Sequence, residues 1–128
     1  MIVMDAAAAV EFLLHGAEAH PRRHWFQRQD FHAPYLADIE TMHALRRHSL
    51  HRTMAAERLD EMVAILASWK ITFHAHRPYL GRVWGLRHRC TAYDALYVAL
   101  AEALDCPLLT ADRRLAHAVE GLIPVEIV

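Results

Sequence analysis

Residues 91–112 read TAYDALYVALAEALDCPLLTAD, and this stretch decides the fold. Thr91 and Asp94 have the spacing of a capping box, so a helix is predicted to begin there. The apolar run Pro107–Thr110 predicts a short strand, and Asp112 follows it at the start of another helix. A helix that leads into a short strand and then into a new helix is typical of a parallel sheet covered by helices.

The same alternation of strands and helices runs through the rest of the chain. Ile2–Met4 predicts a strand, Asp5 follows it, and the alanine-rich run Ala6–Leu14 has strong helix propensity up to Gly16. The other predicted strands are Phe31–Ala33, Ile71–His74 and Ile123–Val128, and the other predicted helices are a short one after Pro21, Tyr35–Leu50, Thr53–Trp69 with Thr53 as its N-cap, Pro78–Arg89, Thr91–Ala103 and Asp112–Val119. We therefore predict an α/β fold in which a central, mostly parallel β-sheet of roughly four to five short strands is flanked by helices.

The composition points to one domain and excludes several classes of protein. A chain of 128 residues with 55% hydrophobic residues can bury one core but not two, so we expect a single domain over residues 1–128. The net charge of -1 offers no overall attraction to nucleic acid. Cys90 and Cys106 do not make a disulfide framework, which suits the cytoplasm. No segment approaches the ~20 apolar residues of a membrane span, so no membrane partner is expected.

Acidic residues occupy similar positions in several predicted elements, each where an apolar stretch ends or a helix begins. They are Asp5, Glu40, Asp94 and Asp112. Each one alone has an ordinary explanation as an N-cap or a first-turn acid. In an open α/β sheet, however, the carboxyl ends of the strands line one edge, where these acids would meet and repel each other unless a cation lay between them. The pattern therefore indicates Mg²⁺ or Mn²⁺, and with it phosphodiester hydrolysis.

Several of these motifs together resemble the PIN domain family, and specifically the VapC-like toxins of type II toxin–antitoxin modules. The resemblance rests on Ile2–Asp5, on Ala33-Pro34 leading to Ile39-Glu40 and Ala44–Arg47, on Thr91–Ala101, and on Leu108–Asp112. It spans nearly the whole chain, and the last two motifs are specific to the family.

This resemblance implies a metal-dependent endoribonuclease that cleaves RNA by hydrolysis. Its metal-binding acids would be Asp5, Glu40, Asp94 and Asp112, with Mg²⁺ or Mn²⁺ as cofactor. The resemblance also implies that Thr110 lends a hydroxyl to the pocket and that His43 stands where many relatives have asparagine. A cognate antitoxin protein would cover the groove, and the toxin would form a homodimer. One departure is Ala6, because members commonly carry a hydroxyl residue directly after the first acid.

Basic and aromatic side chains near the acidic motifs are candidates for contacts with RNA. Arginine pairs well with phosphate oxygens, and tyrosine can stack on bases. The main candidates are Arg46, Arg82, Arg87, Arg113, Tyr93 and Tyr97, and the wider set of arginines includes Arg47, Arg89 and Arg114. For each arginine, a solvated helix face is an equally good explanation.

Alternative functions remain open at this stage. A PIN-domain nuclease that processes RNA without a toxin role would carry the same residues. A binding module without catalysis would not need the complete set of acids. A phospho-accepting receiver domain of a signalling system has a similar fold, but it pairs adjacent acids near its first strand and needs a lysine after a late strand, whereas Lys70 precedes a middle one.

Overall fold

The computed structural model describes residues 1–16 and 30–128, so the short helix expected after Pro21 lies outside the described residues. The described residues form a five-stranded sheet with all neighbouring strands parallel, in the order β3-β2-β1-β4-β5. Its strands are β1 (Ile2–Met4), β2 (Phe31–Pro34), β3 (Ile71–His74), β4 (Leu108–Thr110) and β5 (Val125–Ile127). The predicted α/β fold with a parallel sheet is confirmed.

Helices connect the strands and cover the sheet. They are α1 (Ala6–His15), α2 (Leu36–Leu50), α3 (Ala56–Ser68), α4 (Leu80–Gly85), α5 (Ala92–Leu104) and α6 (Arg113–Ala118), with a 3₁₀ turn at Arg77–Tyr79 before α4. Parallel strands need such crossover helices because the chain must return to the same end of the sheet between strands. The described helices include none that is both long and apolar enough to cross a bilayer.

The centre of the sheet is the most buried part of the molecule. Val3 and Leu108 belong to a hydrophobic cluster with residues of α5. Ile2, Met4 and Leu109 belong to a second cluster, which includes Phe12 of α1. Every residue of α5 from 95 to 101 is buried, because this helix is enclosed on more than one face. The first turn of α5 is thereby fixed against the strands, and it carries Asp94.

Two predicted helices differ from the observed ones. Thr53 does not cap α3, which begins after Ala55, because the Thr53 hydroxyl lies 2.8 Å from Nδ1 of His48 at the end of the preceding helix. The predicted helix over Pro78–Arg89 is divided into the 3₁₀ turn and the short α4, which ends at Gly85. Glycine lowers helix propensity, and the stretch contains a second glycine at residue 81.

Candidate active site

Asp5 is a buried carboxylate at the carboxyl end of the central strand. It is the N-cap of α1, and its Oδ1 accepts a 2.7 Å hydrogen bond from the backbone N–H of Ala8. Its Oδ2 accepts the hydroxyl proton of Thr110. The side chain is only 5% exposed, and this burial raises the pKa of Asp5 to about 7, with further increases from the charges of Asp94 and Asp112. The hydrogen bonds from Thr110 and Ala8 oppose the rise.

Thr110 links Asp5 to a second acid. It is the last residue of β4, the strand next to β1, and it is fully buried. Besides donating to Asp5, its hydroxyl oxygen accepts a 2.9 Å hydrogen bond from the backbone N–H of Asp112. Asp112 caps α6, and its Oδ1 accepts hydrogen bonds from the N–H groups of Arg114 and Leu115 at 2.8 and 3.3 Å. The ends of two neighbouring strands are therefore joined through one hydroxyl.

Asp94 approaches the same edge from the first turn of α5. The hydroxyl of Thr91 caps this helix by accepting the backbone N–H of Asp94 at 3.1 Å, as the capping-box spacing predicts. Partial burial raises the pKa of the Asp94 carboxyl, and repulsion from Asp112 adds to the rise. Thr91 and the positive charge of Arg114 lower it.

Glu40 reaches the edge from α2 and has a buried hydrogen-bond partner. The hydroxyl of Tyr97 donates to its Oε1 at 2.9 Å. Partial burial raises the pKa of Glu40, the hydrogen bond from Tyr97 lowers it, and the charge of Asp94 raises it. Tyr97 is only 2% exposed, so the structure places this side chain behind Glu40 rather than on the surface where it was expected to meet RNA.

The structure thus brings the four predicted acids to one edge of the sheet. Asp94 repels both Asp5 and Glu40, and Asp112 repels both Asp5 and Asp94. Within residues 1–16 and 30–128, however, no three His, Cys, Asp or Glu side chains are close enough together to hold a metal ion. The acids share an edge without forming a closed set of ligands.

The chemistry of this group nevertheless fits a hard divalent cation. All the candidate ligands are carboxylate oxygens, which Mg²⁺ and Mn²⁺ prefer. Burial and mutual repulsion raise the pKa values of Asp5, Glu40 and Asp94, and a cation would offset both effects. The charges of these residues are therefore unfavourable by themselves and would be favourable around a metal ion.

A cleft of about 820 Å³ adjoins this edge. It is lined by Ala6, Ala7, Val10, Leu36, Ile39, Glu40, His43, Ala44, Arg47 and Tyr93. Of the acids only Glu40 belongs to this lining, so the cleft meets the acidic edge at one side. His43 lies one helical turn after Glu40 and points into the same space, and Tyr93 is 59% exposed beside it. The cleft is mostly apolar, with the cationic Arg47 at its border.

The predicted arginines fall into two groups. Arg113 is exposed at the start of α6, next to Asp112. Arg46 borders a separate groove between α2 and α3, Arg82 makes a bidentate ion pair with Glu102 at 2.7 Å, and Arg87 lies 4.8 Å from the ring of Trp84. These last three are not brought to the acidic edge.

Arg47 and Arg114 also lie at the site, although the sequence analysis ranked them below the main candidates. Arg47 borders the cleft, and Arg114 lies 3.7 Å from Oδ1 of Asp112 and acts on Asp94. Their spacing from the acids could have indicated this position in the sequence, since Arg47 is two helical turns after Glu40 and Arg114 is two residues after Asp112.

Comparison with known proteins identifies the family. A family model described as PIN domain matches residues 2–121. The chain belongs to the PIN domain family. Ribonuclease VapC1 of Mycobacterium tuberculosis is 46% identical over 127 residues, which make up 98% of this chain and 94% of that one. The resemblance to VapC-like proteins is therefore confirmed.

Solved structures of PIN-domain relatives share this fold. The crystal structure of VapC20 from Mycobacterium tuberculosis has a TM-score of 0.67 and 14% identity, over 92% of this chain and 95% of that chain. VapBC2 from Rickettsia felis, bound to a DNA fragment from its promoter, has a TM-score of 0.67 and 13% identity, over 99% and 98% of the two chains. At these identities the likeness concerns the fold alone.

Proposed function

We propose that this protein is a divalent-metal-dependent endoribonuclease and the toxin of a type II toxin–antitoxin module. The observation that carries the proposal is the meeting of four carboxylates from distant segments at one edge of the sheet, joined in part by Thr110. The relationship to Ribonuclease VapC1 supports RNA as the substrate. VapC20, whose fold this chain shares, is described as a Sarcin-Ricin loop cleaving toxin.

Asp5, Glu40, Asp94 and Asp112 would hold Mg²⁺ or Mn²⁺, which when bound supplies the Lewis acid for phosphodiester hydrolysis. The protein's own residues prepare the site for it. The Thr110 hydroxyl and the Ala8 N–H fix both oxygens of Asp5.

Substrate contacts come from the rim of the site. Arg114 and Arg113 next to Asp112, and Arg47 at the border of the cleft, are placed to bind phosphate groups and to offset the repulsion between RNA and the acids. Tyr93 presents an exposed ring at the mouth of the cleft, where a base can stack on it. His43 can hydrogen-bond to the same nucleotide from one turn after Glu40.

The proposal includes a cognate antitoxin, a homodimer and a cytoplasmic location. The mostly apolar cleft beside Glu40 is the surface that we assign to the antitoxin, because a protein bound there would cover both the cleft and the edge of the acidic group. VapBC2 from Rickettsia felis supports a toxin–antitoxin context. A PIN-domain nuclease of RNA processing is the second candidate, and a neighbouring short gene for a DNA-binding protein would favour the toxin.

The test is Mg²⁺-dependent cleavage of RNA by the purified protein and by Asp94→Asn. This variant removes one charge from the acidic edge and keeps the shape and the cap of α5, so we expect cleavage to be abolished while the circular dichroism spectrum is unchanged. Asp60→Asn on the exposed face of α3 is the matched control and should cleave RNA like the wild type. Full cleavage by Asp94→Asn would refute the proposal, and an acyl-phosphate formed with a phosphodonor would favour a receiver domain.

A further inference from the structure

Tyr97 lies at the point where three elements of the acidic edge come together. It follows Asp94 by three residues on α5, so the two side chains lie on neighbouring positions of the same helix face. Its hydroxyl donates to Oε1 of Glu40, 57 residues away on α2. The backbone N–H of Ala6, at the start of α1, is directed at the same hydroxyl oxygen and lowers its pKa. The Tyr97 phenol group therefore contacts Glu40 directly, contacts the residue that follows Asp5, and lies on the same helix face as Asp94.

The hydrogen bond from Tyr97 can hold the Glu40 carboxylate in one orientation, as is needed for a residue that binds a metal ion. A glutamate side chain rotates about several bonds, so a partly exposed Glu40 has many orientations unless something holds it. Tyr97 is buried, and its hydroxyl lies 2.9 Å from Oε1 of Glu40. A phenol is protonated at neutral pH, so this hydroxyl donates its proton to the carboxylate. The bond engages Oε1 and adds no positive charge that would compete with a cation.

We propose that Tyr97 is a positioning residue that holds Glu40 for the divalent cation and so sets the cation affinity of the acidic edge. The proposal rests on the proposed function, because it assumes that the acids bind a metal ion. It assigns to Tyr97 a role that differs from the RNA contact expected from the sequence. Tyr97 acts through Glu40 and touches neither the RNA nor the reacting atoms.

Tyr97→Phe tests the proposal because it removes one hydroxyl and keeps the ring that fills the core. Mn²⁺ binding to the protein without RNA should weaken by about tenfold, which is at the lower end of the effect of removing a hydrogen bond to a metal ligand. The Mg²⁺ concentration for half-maximal RNA cleavage should rise by a similar factor, while the rate at saturating Mg²⁺ stays close to that of the wild type. Isothermal titration calorimetry and cleavage assays at varied Mg²⁺ measure the two quantities.

A matched control separates positioning from general packing. Tyr79 is a half-buried tyrosine that packs against the same core cluster, and the described residues show no hydrogen bond from it to an acid. Tyr79→Phe should leave the Mn²⁺ affinity unchanged. Unchanged Mn²⁺ affinity in Tyr97→Phe, or an equal loss in both variants, would overturn the proposal.

A double-variant comparison tests whether Tyr97 and Glu40 act through one interaction, and urea unfolding first establishes that each variant is folded. Glu40→Asp retains the charge but shortens the side chain, so its carboxylate no longer reaches the Tyr97 hydroxyl. Its Mn²⁺ affinity should fall as it does in Tyr97→Phe, and the double variant should show little additional loss, because both changes break one interaction. Additive losses would contradict the shared role. A wild-type protein that binds no Mn²⁺ at all would instead refute the proposed function, so the two failures are distinct results.

Discussion

Thr110 donates its hydroxyl proton to Oδ2 of Asp5 across two adjacent strands of the sheet. The carboxylate therefore depends on a residue 105 positions away in sequence. The same hydroxyl accepts a hydrogen bond from the backbone N–H of Asp112. Loss of this one oxygen would therefore remove a hydrogen-bond partner from the Asp5 carboxylate and another from the backbone of Asp112.

Thr110→Val is expected to destabilise the protein and to weaken its response to metal. Valine has the same shape but leaves a buried carboxylate oxygen and the N–H of Asp112 without a partner, which costs about 1–3 kcal/mol in the free energy of unfolding. Cleavage at low Mg²⁺ should fall by roughly 10- to 100-fold. Urea unfolding and Mg²⁺ titration of the cleavage rate measure the two effects. Thr110→Ser keeps the hydroxyl and should recover most of both, and a Ser variant as poor as Val would contradict this role.

Asp5→Asn is expected to abolish Mg²⁺-dependent cleavage without lowering the stability of the metal-free protein. At pH 8 the wild type must keep Asp5 ionised although its pKa is raised to about 7 in the folded protein. Asparagine removes that cost, but its single amide oxygen cannot accept hydrogen bonds from both Ala8 and Thr110. The two effects oppose each other, and because the rise in pKa is large we expect the variant to be at least as stable as the wild type. Thermal or urea unfolding in the presence of a chelator gives the comparison. A large loss of stability would show that the ionised carboxylate is required for folding.

Arg114→Ala is expected to weaken RNA binding and to change its salt dependence. Removing one phosphate contact should reduce the slope of log affinity against log salt concentration by about 1. Binding measurements at several salt concentrations, using the Asp94→Asn protein to prevent cleavage, provide the slope. Arg82→Ala is the control, because Arg82 is paired with Glu102 and should not contribute to RNA binding. Equal slopes for the two variants would disprove the assignment.

A histidine pair between β2 and β3 should make stability depend on pH. His32 Nδ1 lies 2.8 Å from Nε2 of His74, and Nε2 of His32 lies 3.0 Å from Oδ2 of Asp30. Burial and the charge of His32 lower the pKa of His74 below 6.5. At His74 the unfolded chain therefore binds a proton more readily than the folded chain, and the contribution of this residue to stability should fall as pH decreases below the ordinary histidine pKa. The raised pKa of Asp5 acts in the opposite direction over the same range, because the folded chain binds that proton more readily.

Unfolding curves between pH 5 and pH 7 (about one unit to either side of the ordinary histidine pKa) measure this dependence. His74→Gln should gain stability relative to the wild type as the pH falls over this range, because glutamine does not titrate and the unfavourable contribution of His74 is lost. A slope as steep as in the wild type would assign the effect to other groups.

The sequence predicted those features that depend on neighbouring residues. The strands at residues 2–4 and 71–74 were predicted with their observed bounds, since each is a short run rich in apolar or β-branched residues. The cap formed by Thr91 was also predicted, because a capping box is a local pattern. The placement of the acids at one edge followed from the parallel sheet.

Features that depend on distant contacts could not be predicted in the same way. Nothing near Tyr97 in the sequence indicates that its hydroxyl meets Glu40 on another helix. Arg82 was predicted to contact RNA, but in the folded chain its guanidinium group is paired with Glu102. This pairing depends on how α4 and α5 pack together, which the local sequence does not indicate. Thr53 has the chemistry of an N-cap, but the end of the preceding helix competes for its hydroxyl.

The position of β1 between β2 and β4 has a consequence for the folding of this protein during its synthesis on the ribosome. During translation β1 is made well before β4, one of its two neighbours in the sheet, and Thr110 and Asp112 are added only after residue 107. A nascent chain that has not reached this point lacks part of the acidic edge. If the proposed function holds, the ribosome making this protein is protected from its nuclease activity until the segment that carries Thr110 and Asp112 has been added and has folded.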